Sequence, residues 1–363
     1  MFEISNMKEI ENLVSGATFL GTGGGGDPKA GLKNLKEIID SGKKIKIVTI
    51  DEAPKNSIIV VPYNVGSIAP IKKLTKSVKF TNPLEIAIKQ MEEIVGLKIG
   101  AVVSSEIGGS NTPAALSMGS KLNIPAIDGD LVGRAAPELH QCTCHIFDIK
   151  MYPSVIVSEK GNIIIVKEYT NIDDYESIAR YMSVLEGDFV AVVDTPMDID
   201  NAKKAIIPKT VSLAINVGEI INNENYSKSE KIDKLTNLIN GWKIFEGIVD
   251  KFVWKNEGGF LKGEILIKGE NEYKGKTLRS WIMNEHILVF IDDKPVVICP
   301  DSFTLTDENL NPITNSQLKE GMKVIGFAFK SPDIWRSKKG LQFFGPRHFG
   351  FNFDYVPVEE LLK

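Results

Sequence analysis

The polar side chains best suited to chemistry are concentrated in the segment IDGDLVGRAAPELHQCTCHIF, which spans residues 127–147. Asp128 and Asp130 are separated by a single glycine, and Arg134 follows shortly after them. Carboxylates act as general bases or as ligands of divalent metals, whereas a guanidinium binds carboxylates and polarised carbonyls. We therefore predict that Asp128 and Asp130 are catalytic and that Arg134 binds the substrate.

The end of the same segment places His140, Cys142 and Cys144 at alternate positions, followed by His145. In an extended chain the first three share one face and would offer ligands for zinc. The Cys-x-Cys spacing is unusual for zinc, so the alternative is that the cysteines are small buried apolar residues. We predict no disulfide between Cys142 and Cys144, because side chains two residues apart on a strand are separated by about 7 Å.

Another acid follows the most apolar strand pattern of the N-terminal half, in the segment SSEIGGSN (104–111). Ligands of α/β proteins bind at the carboxyl ends of parallel strands. Glu106 is therefore predicted to be catalytic, and Asn111 to bind the substrate. The alternative is that Asn111 caps a helix and Glu106 faces solvent.

Four consecutive glycines occur in FLGTGGGGDPKAG. Gly21, Gly23 and Gly26 fit the Gly-x-Gly-x-x-Gly pattern of dinucleotide sites, and Asp51 follows the next strand pattern, where a ribose-binding acid would lie. That pattern requires a strand directly before the loop, whereas residues 9–20 have helical periodicity. The context therefore argues against an NAD site.

The interpretation that we favour for the glycines is a tight connection between two helices. Asp27 and Pro28 have the residue types of an N-cap followed by a first-turn proline. The N–H groups of Gly23, Gly24 and Gly25 would then surround a concavity suited to an anionic group or a developing oxyanion. We predict that these three glycines bind the substrate.

Near its C-terminus the chain combines glycine, aromatic and cationic residues in GPRHFGFNFDY (345–355). Burying Arg347 and His348 without polar partners is costly, so we expect this segment to return to the cleft of the α/β domain that holds the acidic residues. There Arg347 would bind the substrate, and His348 would act as an acid or a metal ligand. A divalent metal such as zinc would be held by Glu106, Asp128 and His348.

The elements that must position these residues alternate between helix and strand patterns over the first half of the chain. KIKIVTI, SIIVVPYNVG, IGAVVSSE and IPAIDGD are rich in β-branched and apolar residues, and amphipathic helix patterns lie between them. This alternation predicts an α/β N-terminal domain with a mainly parallel sheet.

After Trp242 the pattern changes to short strands separated by Gly, Asn and Asp turns, which predicts a smaller, mainly β domain. We place the α/β domain at residues 1–225 and the β-rich domain at 242–330. The C-terminal segment at 331–363 is predicted to return to the α/β domain.

The composition excludes several classes of protein. With 43% hydrophobic and 25% charged residues, the chain of 363 residues is globular. A net charge of -4 argues against nucleic-acid binding, because no basic excess neutralises phosphates. No apolar run reaches the roughly 20 residues of a membrane helix, and the acidic N-terminus differs from a signal peptide. Because three cysteines give no disulfide framework, we expect a cytoplasmic protein, with a homo-oligomer left open.

Taken together, several segments resemble the S-methyl-thiohydantoin desulfurase family. They are LGTGGGGDP, EIGGSN, DGDLVGRAAPEL, the pairs Asn284–Glu285 and Pro300–Asp301, and GPRHFGFNFDYVPVE, in this order along nearly the whole chain. The resemblance implies an α/β N-terminal domain, a β-rich C-terminal domain and a cytoplasmic hydrolase-like enzyme for a cyclic imide or thiohydantoin. The family's characterised activity replaces a methylthio group with oxygen and releases methanethiol. Its association with hydantoinase-type enzymes implies a partner of that kind.

Three functions follow from these observations. The first is a hydrolase for a small cyclic imide or thiohydantoin, in which a base activates water, donors hold the ring and an acid assists the departing thiolate. The second is an NAD-dependent oxidoreductase that uses Gly21–Gly26 and Asp51. The third is a small-molecule-binding subunit, without catalysis of its own, that serves a hydantoinase-type system.

Overall fold

The fold is given by a computed structural model that describes residues 1–69, 78–187 and 189–363. The strands of its first sheet are β1 (Phe2–Ile4), β2 (Ile45–Val48), β3 (Ile58–Val65), β4 (Ile99–Ser104), β5 (Ala126–Asp130), β6 (Ser154–Val157), β7 (Ile163–Val166), β8 (Val190–Met197) and β9 (Ile207–Pro208). The strands of its second sheet are β10 (Gly241–Glu257), β11 (Phe260–Gly269), β12 (Thr277–Met283), β13 (Glu285–Ile291), β14 (Lys294–Ile298), β15 (Ser302–Asp307), β16 (Pro312–Ile313) and β17 (Lys323–Phe329).

The helices lie between strands of the first sheet, between the two sheets and, at the end of the chain, after the second sheet. They are α1 (Met7–Leu20), α2 (Pro28–Asp40), α3 (Pro83–Val95), α4 (Asn111–Leu122), α5 (Ile172–Glu186), α6 (Ile199–Ala205), α7 (Thr210–Ile221), α8 (Lys228–Leu238), α9 (Asp333–Arg336), α10 (Lys338–Phe344) and α11 (Val358–Leu361). Within the described ranges, no helix is long and apolar enough to cross a membrane.

The first sheet has the strand order β1-β2-β5-β4-β3-β8-β6-β7, and β9 pairs with β5. Its centre, β2-β5-β4-β3, is parallel, as the alternation of strand and helix patterns predicts. The flanking strands pair antiparallel, and among them β6 and β7 form a hairpin rather than a helical crossover. The carboxyl ends of β3, β4 and β5 therefore lie side by side.

The second sheet is antiparallel throughout, in the order β14-β13-β12-β11-β10-β17-β15-β16. The predicted change to a β-rich architecture after Trp242 is confirmed, since β10 begins at Gly241. The two sheets share part of their apolar core through α1. The Phe19 ring lies 5.4 Å from that of Phe327 and stacks at 6.1 Å on Phe329 of β17.

A buried carboxylate attaches the C-terminal segment to the second sheet. Asp301 directly precedes β15 and is almost fully buried. Its Oδ1 accepts from Ser331 N at 2.9 Å and Arg336 Nη2 at 2.7 Å. Its Oδ2 accepts from the Tyr355 hydroxyl at 2.8 Å and Val358 N at 2.9 Å. One side chain thus orients both α9 and α11.

We expect Asp301→Asn to lower the free energy of unfolding by about 2–3 kcal/mol, because charged hydrogen bonds are lost and a buried donor is left unpaired. Urea denaturation measures the change. The matched control is Asp354→Asn, which removes an exposed ion pair with Arg347 and should cost less than about 1 kcal/mol. Equal losses in the two variants would contradict this role for Asp301.

Candidate active site

A cavity of about 400 Å³ lies at the carboxyl ends of the parallel strands. Its wall includes Val65 at the end of β3, Glu106 after β4, and Leu131 and Val132 after β5. Gly26 and Asp27 of the glycine loop, Asn284 between β12 and β13, and Glu285 at the start of β13 also line it. Its volume suits a small molecule, and its position is where α/β sheets bind their ligands.

Glu106 reaches this cavity from the end of β4 and is held by two hydrogen bonds. Its Oε1 accepts from Asn111 Nδ2 at 2.9 Å, and its Oε2 accepts from Ala136 N at 2.9 Å. Burial raises the pKa of Glu106 to about 7, although these hydrogen bonds and the nearby Arg134 and Arg180 oppose the shift. A carboxyl with this pKa exchanges a proton readily near neutral pH.

Glu285 comes to the same cavity from the second sheet. Asn284 adopts a left-handed conformation, with φ of 55°, in the turn that leads into β13. The Oε1 atom of Glu285 accepts from Gly25 N at 3.3 Å, and its buried Oε2 has no partner among the residues described. Burial and the charge of Glu106 raise the pKa of Glu285 well above its usual range, which favours the protonated form of this carboxyl.

Glu106 and Glu285 thus form a pair of buried carboxyls, one from each sheet. Because like charges in a shared low-dielectric site cannot both ionise easily, the pair retains a proton. The surroundings of Glu106 contain more groups that favour its ionised form, so Glu106 is the carboxylate and Glu285 the acid. Two carboxyls with different pKa values can act as the base and the acid in general acid–base catalysis.

The glycine loop supports Glu285 rather than presenting a ring of free donors. Gly24 N donates to Gly21 O at 2.8 Å, and Gly25 N donates to Glu285. A Cβ on Gly24 would lie 1.6 Å from Glu285 Oε1, so only glycine leaves room for that carboxyl. Gly23 O accepts from Asn315 N at 2.7 Å. In this structure the three glycines position Glu285 and Asn315, and the substrate-binding role of Gly23, Gly24 and Gly25 remains a prediction.

The loop also contacts the EIGGSN segment. Gly25 O accepts from Ser110 N at 2.9 Å and from Asn111 N at 3.3 Å. Asn111, predicted to bind substrate, lines the cavity and also orients Glu106 and accepts from Asn64 N at 3.1 Å. It begins α4, whose N-cap is Ser110.

Asp128 and Asp130 do not line the cavity. Asp128 Oδ1 accepts from Ser212 N at 2.9 Å and its Oδ2 from Ser212 Oγ at 2.5 Å, so Asp128 caps the start of α7. Asp130 Oδ2 accepts from Val132 N at 2.9 Å and Gly133 N at 2.7 Å and shapes the turn after β5. Packing against α7 and the turn decides which way each side chain points, and the catalytic roles of Asp128 and Asp130 remain predictions from the sequence.

Arg134 is fully buried and binds protein groups rather than substrate. It donates hydrogen bonds to the carbonyl oxygens of Ala135, Pro300, Asp301 and His286 and to Thr22 Oγ1. These five bonds use all five N–H donors of a guanidinium. Arg134 therefore joins the glycine loop to the second sheet, whereas the sequence predicted that it binds the substrate.

Of the two site residues predicted in the C-terminal loop, His348 contacts the cavity wall and Arg347 does not. His348 Nε2 lies 2.6 Å from Oε2 of Glu138, which lines the cavity. Arg347 is exposed and pairs with Asp354 at 2.9 Å, so it does not bind in the cavity.

The predicted metal set of Glu106, Asp128 and His348 is not assembled, since each residue has different partners. The sequence does not show which acidic side chain contacts the C-terminal loop, because that loop lies about 200 residues further along the chain.

The cysteines and the dinucleotide pattern have structural explanations. Cys142 and Cys144 are buried free thiols, which confirms that they form no disulfide with each other. His140 groups with Glu138 and His348 rather than with the cysteines.

The α1 helix ends at Leu20, directly before the glycine loop, where a dinucleotide fold has a strand. Asp51 is mostly exposed and pairs with Lys203 at 2.6 Å.

Sequence reasoning missed Glu285 and Arg180 as cavity residues. The signal for Glu285 is the polar triplet Asn284–His286 inside the otherwise apolar run WIMNEHILVF. Arg180 has no such signal, because it lies on an ordinary amphipathic helix. It makes four hydrogen bonds, to Glu176 and to the carbonyl oxygens of Gly66, Gly259 and Pro137.

Fold and cavity together define a two-domain protein with a cavity of small-molecule size between the edge of a parallel sheet and an antiparallel sheet. The chain belongs to the S-Me-THD-like family: the models of its N-terminal and C-terminal domains match residues 8–168 and 170–358. The resemblance to the S-methyl-thiohydantoin desulfurases is thereby confirmed. The second matched domain also supplies β8 and β9, which complete the first sheet.

A solved structure with a similar fold is an X-ray crystal structure of a protein from Chromobacterium violaceum. The two chains are 20% identical, with a TM-score of 0.81 over 99% of this chain and 100% of the other. No curated protein matches this sequence.

Proposed function

We propose that the protein hydrolyses the C–S bond of an S-methyl-thiohydantoin-type ring and releases a hydantoin and methanethiol. The observation that carries this proposal is the pair of Glu106 and Glu285 in one cavity, with proton affinities raised to different extents. Membership in the S-Me-THD-like family supports the class of substrate.

The first step adds water to the ring carbon that carries sulfur. The Glu106 carboxylate accepts one proton from the water as its oxygen bonds to this carbon. Protonated Glu285 donates its proton to the ring nitrogen, whose double bond to the carbon is lost. The product is a neutral tetrahedral carbon bearing hydroxyl, methylthio and two nitrogens.

The second step expels the sulfur and restores both carboxyls. The new hydroxyl returns a proton to the Glu285 carboxylate as the carbonyl forms and the C–S bond breaks. Glu106, now protonated, donates its proton to the departing sulfur, so methanethiol leaves as a neutral molecule. Glu106 is again a carboxylate and Glu285 an acid, ready for the next turnover.

Arg180 is suited to hold the ring carbonyl during these steps. It lines the cavity, and its four hydrogen bonds leave one of five N–H donors without a partner among the described residues. A fixed cationic donor in a site with little water stabilises negative charge on an oxygen. The carbonyls that hold Arg180 come from both halves of the chain, so its position depends on the assembled fold.

The rate should depend on pH in a way that reports both carboxyls. Below pH about 7 Glu106 becomes protonated and cannot accept a proton from water, so kcat/KM should fall about tenfold per pH unit. At higher pH the rate should fall again as Glu285 loses its proton. Initial rates of methanethiol release between pH 5 and 10 measure the profile. A rate that is flat between pH 5 and 7 would exclude Glu106 as the base.

The function is tested by incubating the purified protein alone with a 2-methylthio-imidazolone ring and measuring methanethiol with a thiol reagent. The proposal predicts catalytic release with an equal amount of hydantoin. Binding of the ring without any turnover would instead support a binding subunit of a hydantoinase-type system.

A further inference from the structure

Outside the carboxyl pair, one cluster of side chains within the described part of the chain has the composition of a metal site. Glu138, His140 and His348 each offer a ligand atom, and these atoms lie within 4.8 Å of one another. Glu138 Oε2 is 2.6 Å from His348 Nε2 and 4.0 Å from His140 Nδ1. Ligands around a tetrahedral zinc ion are roughly 3.4 Å apart, given metal–ligand distances near 2.1 Å. The two separations bracket that value.

His140 is oriented as a ligand by a neighbouring carboxylate. Its Nε2 lies 2.7 Å from Asp173 Oδ1, which fixes the proton on that nitrogen and leaves the lone pair on Nδ1. The side chain of His140 is more than nine-tenths buried, and Nδ1 has no hydrogen-bond partner among the residues described. A buried ring nitrogen with a lone pair and no partner is costly unless something binds it.

The remaining two members complete a donor set that is common around transition metals. A short hydrogen bond joins Glu138 and His348, and a metal ion would replace the proton of this bond by binding both atoms. Two imidazoles and one carboxylate leave coordination positions open for water or a ligand. Glu138 itself lines the 400 Å³ cavity, so the cluster forms part of its wall.

We propose that Glu138, His140 and His348 form a binding site for a divalent transition metal such as zinc, at the wall of the cavity. The ligands come from the segment after β5 and from the loop after α10, which are more than 190 residues apart in the chain. Metal binding would therefore fasten the C-terminal segment to the first half of the protein. This inference does not depend on the proposed function, since its test measures binding and not turnover.

The test titrates Zn²⁺ into the full-length protein after chelator treatment, with isothermal calorimetry as the readout. We expect one ion per chain, and at least about a hundredfold weaker binding in His140→Ala and His348→Ala. Asp173→Asn should weaken binding about 10–100-fold, because a carboxylate that orients a ligand contributes that much. The matched control is His145→Gln, which keeps a donor for Leu139 O and should bind Zn²⁺ like the wild type.

Glu138→Gln preserves the size and hydrogen bonds of the side chain. It serves as the ligand variant if a histidine variant fails to fold. The absorption spectrum of the Co²⁺-loaded protein identifies the donors. Visible bands without sulfur-to-metal charge transfer would support the nitrogen and oxygen set. No stoichiometric binding of Zn²⁺, wild-type affinity in the folded ligand variants, or charge-transfer bands from Cys142 would overturn the proposal.

Discussion

Replacing Glu285 with Gln is expected to lower kcat/KM for a 2-methylthio-imidazolone substrate by at least about a hundredfold. The amide keeps the shape of the side chain but has no acidic proton to give to the ring nitrogen. Glu106→Gln should cause a loss of similar size, because the variant has no base for the attacking water. Since the two carboxyls exchange protons within one cycle, the double variant should be little slower than the slower single variant.

Folding must be separated from catalysis in this experiment. The matched control is Glu186→Gln, which alters another buried glutamate, one that pairs with Asn162 and Lys160 outside the cavity wall. This variant should retain most of the wild-type rate. Circular dichroism and thermal unfolding show whether each variant is folded. Rates within threefold of wild type for folded Glu285→Gln would remove this residue from the mechanism.

Replacing Arg134 with Met is expected to lower the free energy of unfolding by about 3–5 kcal/mol. Burial lowers the pKa of Arg134 to about 10, so the guanidinium is still cationic at neutral pH. Its removal leaves four carbonyl oxygens and the Thr22 hydroxyl without the donor that they share, in a region closed to water. The loss should be large because these acceptors belong to both halves of the molecule.

Urea denaturation gives the change in stability. The matched control is Arg279→Met on the partly exposed face of the second sheet, where the ion pairs with Glu264 and Asp293 are solvated. That variant should lose less than about 1 kcal/mol. Arg134→Lys should fall between the two, because an ammonium group keeps the charge but offers fewer donors than a guanidinium. A loss below 1 kcal/mol in Arg134→Met would contradict its role as a structural link.

Local features of the fold could be predicted from sequence because they depend on neighbouring residues. Asp27 accepts from Lys29 N and Pro28 begins α2, as their residue types predict. The parallel centre of the first sheet follows from the apolar, β-branched strands and the helices between them. Glu106 could be placed in the cavity for a related reason: the end of a parallel strand is defined by the pattern before it.

The rest of the site depends on contacts between distant segments. Asp128 and Arg134 have the residue types of a catalytic base and a substrate clamp, and the sequence does not distinguish those roles from helix capping and structural bridging. Glu285 belongs to the cavity only because the second sheet packs against the glycine loop, and Glu138 meets His348 for a similar reason. Such placements are set by tertiary packing, which local spacing does not encode.

In the proposed reaction, water attacks the ring carbon that bears sulfur, inside this cavity. This attack is tested by running the reaction of the purified protein in water labelled with oxygen-18 and analysing both products by mass spectrometry. We expect one labelled oxygen in the hydantoin and none elsewhere, with methanethiol as the second product. Label in methanol, with the sulfur left on the ring, would instead show attack at the methyl carbon and would exclude the proposed reaction.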